Sequence, residues 1–154
     1  MPLPAHYMVT EGVIAGAYPD TPDGVRALER SGVTVFLDLT HPSDPLDGYE
    51  GWLEGTRRIA HPIPDMGTPT AGHVIQILDE IDAVRADGGT VYVHCWGGVG
   101  RTGTVVGCLL ARHGLDGGDA IARIAELRRE IPGGRPSPET PGQAALVRGW
   151  RQGR

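Results

Sequence analysis

The chain has 154 residues, enough for one domain with a real core and too short for two ordinary ones. A formal charge of −5 and a pI near 5.6 argue against a nucleic-acid or anionic-membrane surface, either of which would show a basic patch. No run approaches the ~20 apolar residues that span a bilayer, and Met1-Pro2-Leu3-Pro4-Ala5-His6 lacks the charged and apolar regions of a signal peptide.

In chain order, residues 7–9 and 13–17 read as short strands joined by a turn at Glu11-Gly12. Residues 23–30 read as a helix ended by Gly32. Residues 33–39 form a nearly continuous apolar run, the mark of a strand buried on both faces. Residues 40–47 read as a loop, 49–57 as a partial helix and 58–63 as a strand. Residues 70–86 read as a helix with Val74, Ile77, Leu78 and Ile81 on one face. A strand at 90–94 follows, then helices at 101–113, 118–131 and 139–150. This alternation predicts an α/β fold: a central, mostly parallel sheet flanked by helices. The 24 glycines and 13 prolines punctuate these runs, so they predict a loop-rich globular fold rather than disorder. Two cysteines are expected to be reduced thiols in the cytoplasm.

The chemistry concentrates in His94-Cys95-Trp96-Gly97-Gly98-Val99-Gly100-Arg101-Thr102, between the strand at 90–94 and the helix at 101–113. Gly97, Gly98 and Gly100 let successive backbone N–H groups turn toward one point. That point lies on the axis of the following helix, whose unpaired N–H groups and macrodipole favour an anion. Arg101 adds a planar fork able to grip two phosphate oxygens. Trp96, Gly97, Gly98, Val99, Gly100 and Arg101 therefore read as a phosphate cradle with the Cys95 thiol at its floor. A helix N-terminus with nearby donors favours the thiolate, which makes the cradle a reaction centre. His94 is expected to orient the loop backbone and help hold the thiolate. Thr102 is expected to hydrogen-bond the sulfur and ease its departure. Such loops sit at the carboxyl ends of strands in open α/β sheets.

This stretch resembles the signature of the cysteine-based protein-tyrosine and dual-specificity phosphatases, in their compact dual-specificity form. The resemblance implies a metal-independent phosphocysteine mechanism without cofactor, and an aspartate on an upstream loop. Asp65 fits, in His61-Pro62-Ile63-Pro64-Asp65-Met66-Gly67, thirty residues before Cys95. The prolines restrict the backbone and present the carboxyl group, which a departing alkoxide or phenoxide needs as general acid. Its plain alternative is a turn or helix cap. Asp38, Asp44 and Asp47 are rival acids without that loop pattern, and Asp44, Asp47 and Glu50 read as a solvated acidic loop or a cleft rim. In Pro136-Ser137-Pro138-Glu139-Thr140-Pro141-Gly142-Gln143 the resemblance implies that Gln143 positions the hydrolytic water. The other reading is a helix start capped by Ser137 or Thr140, with Gln143 solvated.

Trp96 suits either the pocket mouth or a packing anchor. Cys108 lies too far along its helix for a disulfide with Cys95 and is expected in the core. His41, His61, His73 and His113 show no metal-ligand spacing and read as turn or surface residues. The expectation for residues 1–154 is one cytoplasmic, monomeric phosphatase domain without metal, nucleic-acid partner or membrane. Its substrate is a phosphorylated protein or a small phosphomonoester. Phosphoinositides, inositol phosphates or RNA 5′-phosphates are the alternative, followed by sulfur transfer or simple phosphate binding. The uncharged loop 96–100 speaks against the highly charged substrates.

Overall fold

The computed structural model describes residues 3–154. Its elements are β1 (His6–Thr10), β2 (Val13–Gly16), α1 (Pro22–Arg30), β3 (Val35–Asp38), β4 (Arg57–Ala60), α2 (Ala71–Ala86), β5 (Val91–His94), α3 (Gly100–Arg112), α4 (Gly117–Leu127) and α5 (Pro141–Arg148). The five strands lie in the order β1-β2-β5-β3-β4. Only β1 and β2 are antiparallel; β2–β5, β5–β3 and β3–β4 all pair parallel. The α/β fold with a mostly parallel sheet is as the sequence predicts, and β5, which carries His94, is the central strand.

Strand periodicity sorts the sheet residues onto two faces. Val13, Ala15, Val35, Leu37, Val91 and Val93 join one buried cluster with residues of α2, α3, α4 and α5. Ile14, Phe36 and Tyr92 face the other way, against Val25 and Leu28 of α1 and the loop residue Tyr49. Because β2, β3 and β5 are buried along their whole length, they need apolar residues on both faces. Cys108 sits in the larger cluster, fully buried, and burial pushes its thiol up to about 12. Among the described residues no helix is long and apolar enough to cross a membrane.

Most expected elements occur within a few residues of their sequence positions, and two differ in kind or length. The partial helix at 49–57 is only a 3-10 turn over Glu50–Trp52, and Arg57 already belongs to β4. Gly51 and Gly55 weaken any helix there, and Gly55 takes a left-handed φ of 75° that breaks it. The helix expected over 118–131 ends as α4 at Leu127, because Arg128 is its C-cap and the chain then turns. Helix starts follow side-chain capping: Thr21, Thr70, Asp116 and Thr140 each accept from a first-turn N–H of their helix.

Candidate active site

Cys95 follows β5 directly, and α3 begins at Gly100, so the loop bridges the central strand and a helix N-terminus. Gly98 adopts φ 75°, and a Cβ there would come within 2.5–2.9 Å of the Gly16 and Ala17 backbone. Only glycine fits that close crossing under β2. Val99 is the N-cap of α3 and supplies no side-chain bond to its first turn.

Four of the loop carbonyls, those of Cys95, Trp96, Gly98 and Val99, are taken by partners away from the cleft. His94 Nδ1 donates to Cys95 O at 3.0 Å, and the Tyr18 N–H donates to Trp96 O at 3.0 Å. Arg128 Nη1 donates to Gly98 O at 2.9 Å, and Ser137 Oγ donates to Val99 O at 2.5 Å. In a planar trans peptide, a carbonyl held outward turns the adjoining N–H the opposite way. The N–H groups of Trp96, Gly97, Val99 and Gly100 are thereby directed inward, forming an anion-binding concavity at the start of α3.

His94 is completely buried and lies in an aromatic nest, with the Tyr18, Tyr49 and Tyr92 ring centroids 5.4–5.7 Å away. Burial holds its imidazole below the usual histidine range. A carbonyl only accepts, so Nδ1 carries the proton and neutral Nε2 accepts from the Tyr49 hydroxyl at 2.7 Å. Burial in turn raises the Tyr49 hydroxyl well above its ordinary value and keeps it protonated. Thr102 is fully buried, but its hydroxyl has no hydrogen-bond partner among the described residues, the Cys95 sulfur included.

Arg101 is buried at the floor of the cleft. Its Nη1 meets Asp44 Oδ2 at 2.7 Å and donates to Ile63 O at 2.9 Å; its Nη2 lies 3.2 Å from Asp65 Oδ1. The general-acid candidate is thus already beside the phosphate-gripping candidate. Asp65 is half-exposed on a tight turn in which the Gly67 N–H donates to Pro64 O at 2.8 Å. Met66 in that turn adopts φ 64°, a left-handed conformation that costs a non-glycine residue about 1–3 kcal/mol. A cleft of about 440 Å³ is lined by Asp65, Met66, Cys95, Trp96, Gly97, Gly100, Arg101, Arg135 and Glu139. Trp96 stands at its mouth, 45% exposed, so the structure places it as a rim residue rather than a packing anchor.

Several residues lie elsewhere than the sequence suggests. Asp44 is neither solvated nor on a rim: it is buried against Arg101, because the loop after β3 folds back under α3. Asp38 is also buried; burial alone would raise its carboxyl, but His94, Thr40 and Arg58 outweigh it and hold it below the ordinary value. Arg58 Nε meets Asp38 at 2.8 Å, which leaves that carboxylate committed behind the loop. Gln143 is buried rather than solvated. Its Oε1 accepts from the Glu139 and Thr140 N–H groups, and its Nε2 donates to Gly67 O at 3.0 Å. It is the reciprocal cap of α5 and ties that helix to the Asp65 turn, and it is not among the cleft-lining residues. His61, just after β4, lies 3.2 Å from His73 and 2.6 Å from Glu80, both on α2. The contributions of Asp44, Tyr49, Arg128, Ser137 and Arg135 escape sequence reading. Asp44 and Ser137 carried signals there, but these pointed to a rival acid or rim residue and to a helix cap.

A cysteine and an arginine on a loop at a helix N-terminus, with an aspartate facing them, define a cysteine-dependent phosphatase architecture. The family model described as the phosphatase domain of the DSP-PTPase group, Swiss Army Knife type (PTP-SAK), matches residues 5–144, and the chain belongs to this dual-specificity and tyrosine phosphatase family. A protein of Invertebrate iridescent virus 3 named as tyrosine phosphatase 067L is 35% identical over 115 residues, covering 70% of this chain and 45% of its own. The chain spans less than half the length of the curated relatives it matches. Among solved structures, Tk-PTP in its active form superposes with a TM-score of 0.80 at 25% identity, covering 94% of each chain. PTPMT1 in complex with PI(5)P superposes with a TM-score of 0.78 at 22% identity, covering 94% of this chain and 92% of that one.

Proposed function

We propose that residues 1–154 form one phosphatase domain that hydrolyses phosphotyrosine, and also phosphoserine and phosphothreonine, through a phosphocysteine intermediate. The observation that carries this reading is the convergence of Cys95, Arg101 and Asp65 on one cleft beside inward-directed N–H groups. In the first step the Cys95 thiolate attacks phosphorus, forming the S–P bond as the P–O bond to the leaving group breaks. Asp65 gives its proton to the departing oxygen. Arg101 and the loop N–H groups stabilise the equatorial oxygens. In the second step water attacks phosphorus, Asp65 takes its proton, and the S–P bond breaks to return the thiolate and release phosphate.

The Asp65–Arg101 contact suits this sequence of events. An arriving phosphate dianion takes the guanidinium from Asp65, and the new negative charge beside the carboxyl favours its protonated form. All the positive charge of the reaction comes from Arg101 and backbone dipoles, so the proposed activity needs neither metal nor cofactor. Two free cysteines suit a reducing compartment, and we place the protein in the cytoplasm as a monomer.

A phosphoinositide, inositol phosphate or RNA 5′-phosphate would undergo the same chemistry, and the likeness to PTPMT1 brings the first of these to mind. The uncharged loop 96–100 and the exposed apolar side chains of Met66 and Trp96 at the rim favour a protein substrate.

The test is turnover of a simple aryl phosphate in EDTA with vanadate as inhibitor. Activity should persist, vanadate should abolish it, and Cys95→Ser should show none. Arg101→Lys should be severely impaired, because an ammonium cannot make the planar two-oxygen contact. Activity lost in EDTA and restored by a divalent ion, or retained in Cys95→Ser, would overturn the proposal.

A further inference from the structure

The cleft contains a second arginine that the reaction does not use. Arg135 lies in the connection between α4 and α5, and its guanidinium reaches over the catalytic loop. A Cβ built on Gly97 would come within 3.2 Å of its Nη2. Its ionic partner is Glu139, also a cleft residue, at 2.9 Å across an i,i+4 spacing.

The two arginines of the cleft are held in opposite ways. Arg101 is 2% exposed, fixed by Asp44 and the Ile63 carbonyl, and belongs to the phosphate. Arg135 is 60% exposed and held by a single carboxylate, which leaves it directed to the mouth. An exposed pair of this kind is worth little, so exchanging Glu139 for another anion costs almost nothing. The same rim carries Met66 and Trp96, 53% and 45% exposed. The mouth therefore offers apolar side chains for an aromatic ring and a cation for one more negative group.

Resting on the phosphatase reading above, we infer that Arg135 is a specificity-determining residue. It forms a subsite for an acidic side chain adjoining the phosphotyrosine of a peptide substrate. Glu139 occupies Arg135 in the empty cleft, and the substrate carboxylate displaces it. A peptide fits better than a multiply charged headgroup. The subsite holds one cation beside two apolar side chains, and the chain as a whole carries −5, which repels an anionic bilayer.

The test compares kcat/KM for phosphotyrosyl peptides that differ only by Asp or Asn next to the phosphotyrosine, on either side. The readout is the Asp-to-Asn ratio within each variant. Wild type should prefer Asp by about two- to fivefold, the worth of an exposed ion pair. The preference should shrink as salt is raised. In Arg135→Ala the ratio should fall to about one, in Arg135→Glu it should invert, and in Glu139→Gln it should rise as the competing carboxylate is lost. A ratio near one in wild type, or one unchanged in Arg135→Ala, overturns the subsite while leaving aryl-phosphate turnover to stand for the phosphatase. Absence of turnover on every substrate overturns the phosphatase reading instead. If soluble inositol bisphosphate outcompetes all peptides and loses that advantage in Arg135→Ala, the subsite serves a second phosphate and the peptide assignment is wrong.

Discussion

The carboxylate of Asp44 and the guanidinium of Arg101 meet at 2.7 Å with both side chains buried, so the fork is aimed from behind before any substrate arrives. The geometry divides the guanidinium between two tasks. Nη1 is spent on Asp44 and the Ile63 carbonyl, and Nη2 faces the cleft toward Asp65.

Asp44→Ala leaves the Arg101 charge buried with one support fewer. Removing one partner of a buried pair costs about 3–5 kcal/mol. Urea denaturation should show that loss, and kcat/KM for an aryl phosphate should fall at least about tenfold as the fork loses its aim. Asp44→Asn keeps an oxygen acceptor and should lie between the two. Wild-type kinetics in Asp44→Ala would show that the Ile63 carbonyl and the loop alone orient Arg101.

Asp65→Ala should slow turnover by about 10²- to 10⁴-fold, the usual worth of a positioned acid. The loss should be largest for an alkyl phosphoserine, whose basic alkoxide needs the proton most, and smallest for an activated aryl phosphate. With activated substrates a phosphocysteine intermediate should accumulate, visible by rapid quench and mass spectrometry, because water attack also loses its base. Equal losses across leaving groups would move the acid role elsewhere.

The bonds that hold the loop carbonyls outward should appear in anion affinity. Ser137→Ala removes the side-chain bond to Val99 O and leaves it only the Gly103 N–H at 3.2 Å, and Arg128→Ala frees Gly98 O. One hydrogen bond is worth about 1 kcal/mol, so each variant should weaken vanadate inhibition by roughly two- to tenfold. The kcat/KM values should fall in parallel. Lower melting temperatures with unchanged vanadate affinity would reduce these bonds to packing.

The imidazoles of His94 and His73 both lie below their ordinary value because burial opposes the charge, helped for His73 by His61. Below about pH 6.5 the unfolded chain takes up protons that these groups refuse in the fold, so their contribution to stability declines as pH falls. Above that pH it is fully present. Asp38 behaves oppositely in cause and lower in range, since its depressed carboxyl supports the fold until pH falls toward its own value. Nitrogen NMR should show His94 keeping the neutral Nδ1–H tautomer to lower pH than an ordinary exposed imidazole. His73→Asn should flatten the fall in urea midpoint between pH 7.5 and 5.5. A His94 that charges as readily as an exposed imidazole would contradict the Tyr49 hydrogen bond as assigned.

The strands, the helices and the placement of Cys95 could be read from local pattern. Apolar runs at 33–39 and 90–94, a glycine-rich turn and an arginine six residues past the cysteine all act within a few residues of chain. The Pro-rich segment around Asp65 was legible for the same reason, since prolines and glycines declare a presented loop without reference to the rest of the molecule. What supports the site was not legible. Asp44 reaches Arg101 across 57 residues, Ser137 reaches Val99 across 38, and Arg128 reaches Gly98 across 30. Polar partners brought together by sheet order and helix packing leave no period in the sequence. Asp44 therefore reads in the sequence as a rival acid or one more charge in an acidic loop, and Gln143 as either a water-positioning or a solvated amide. Only the closed tertiary structure decides that the first is buried under an arginine and that the second has its oxygen and an N–H committed, because each owes its surroundings to segments far away along the chain.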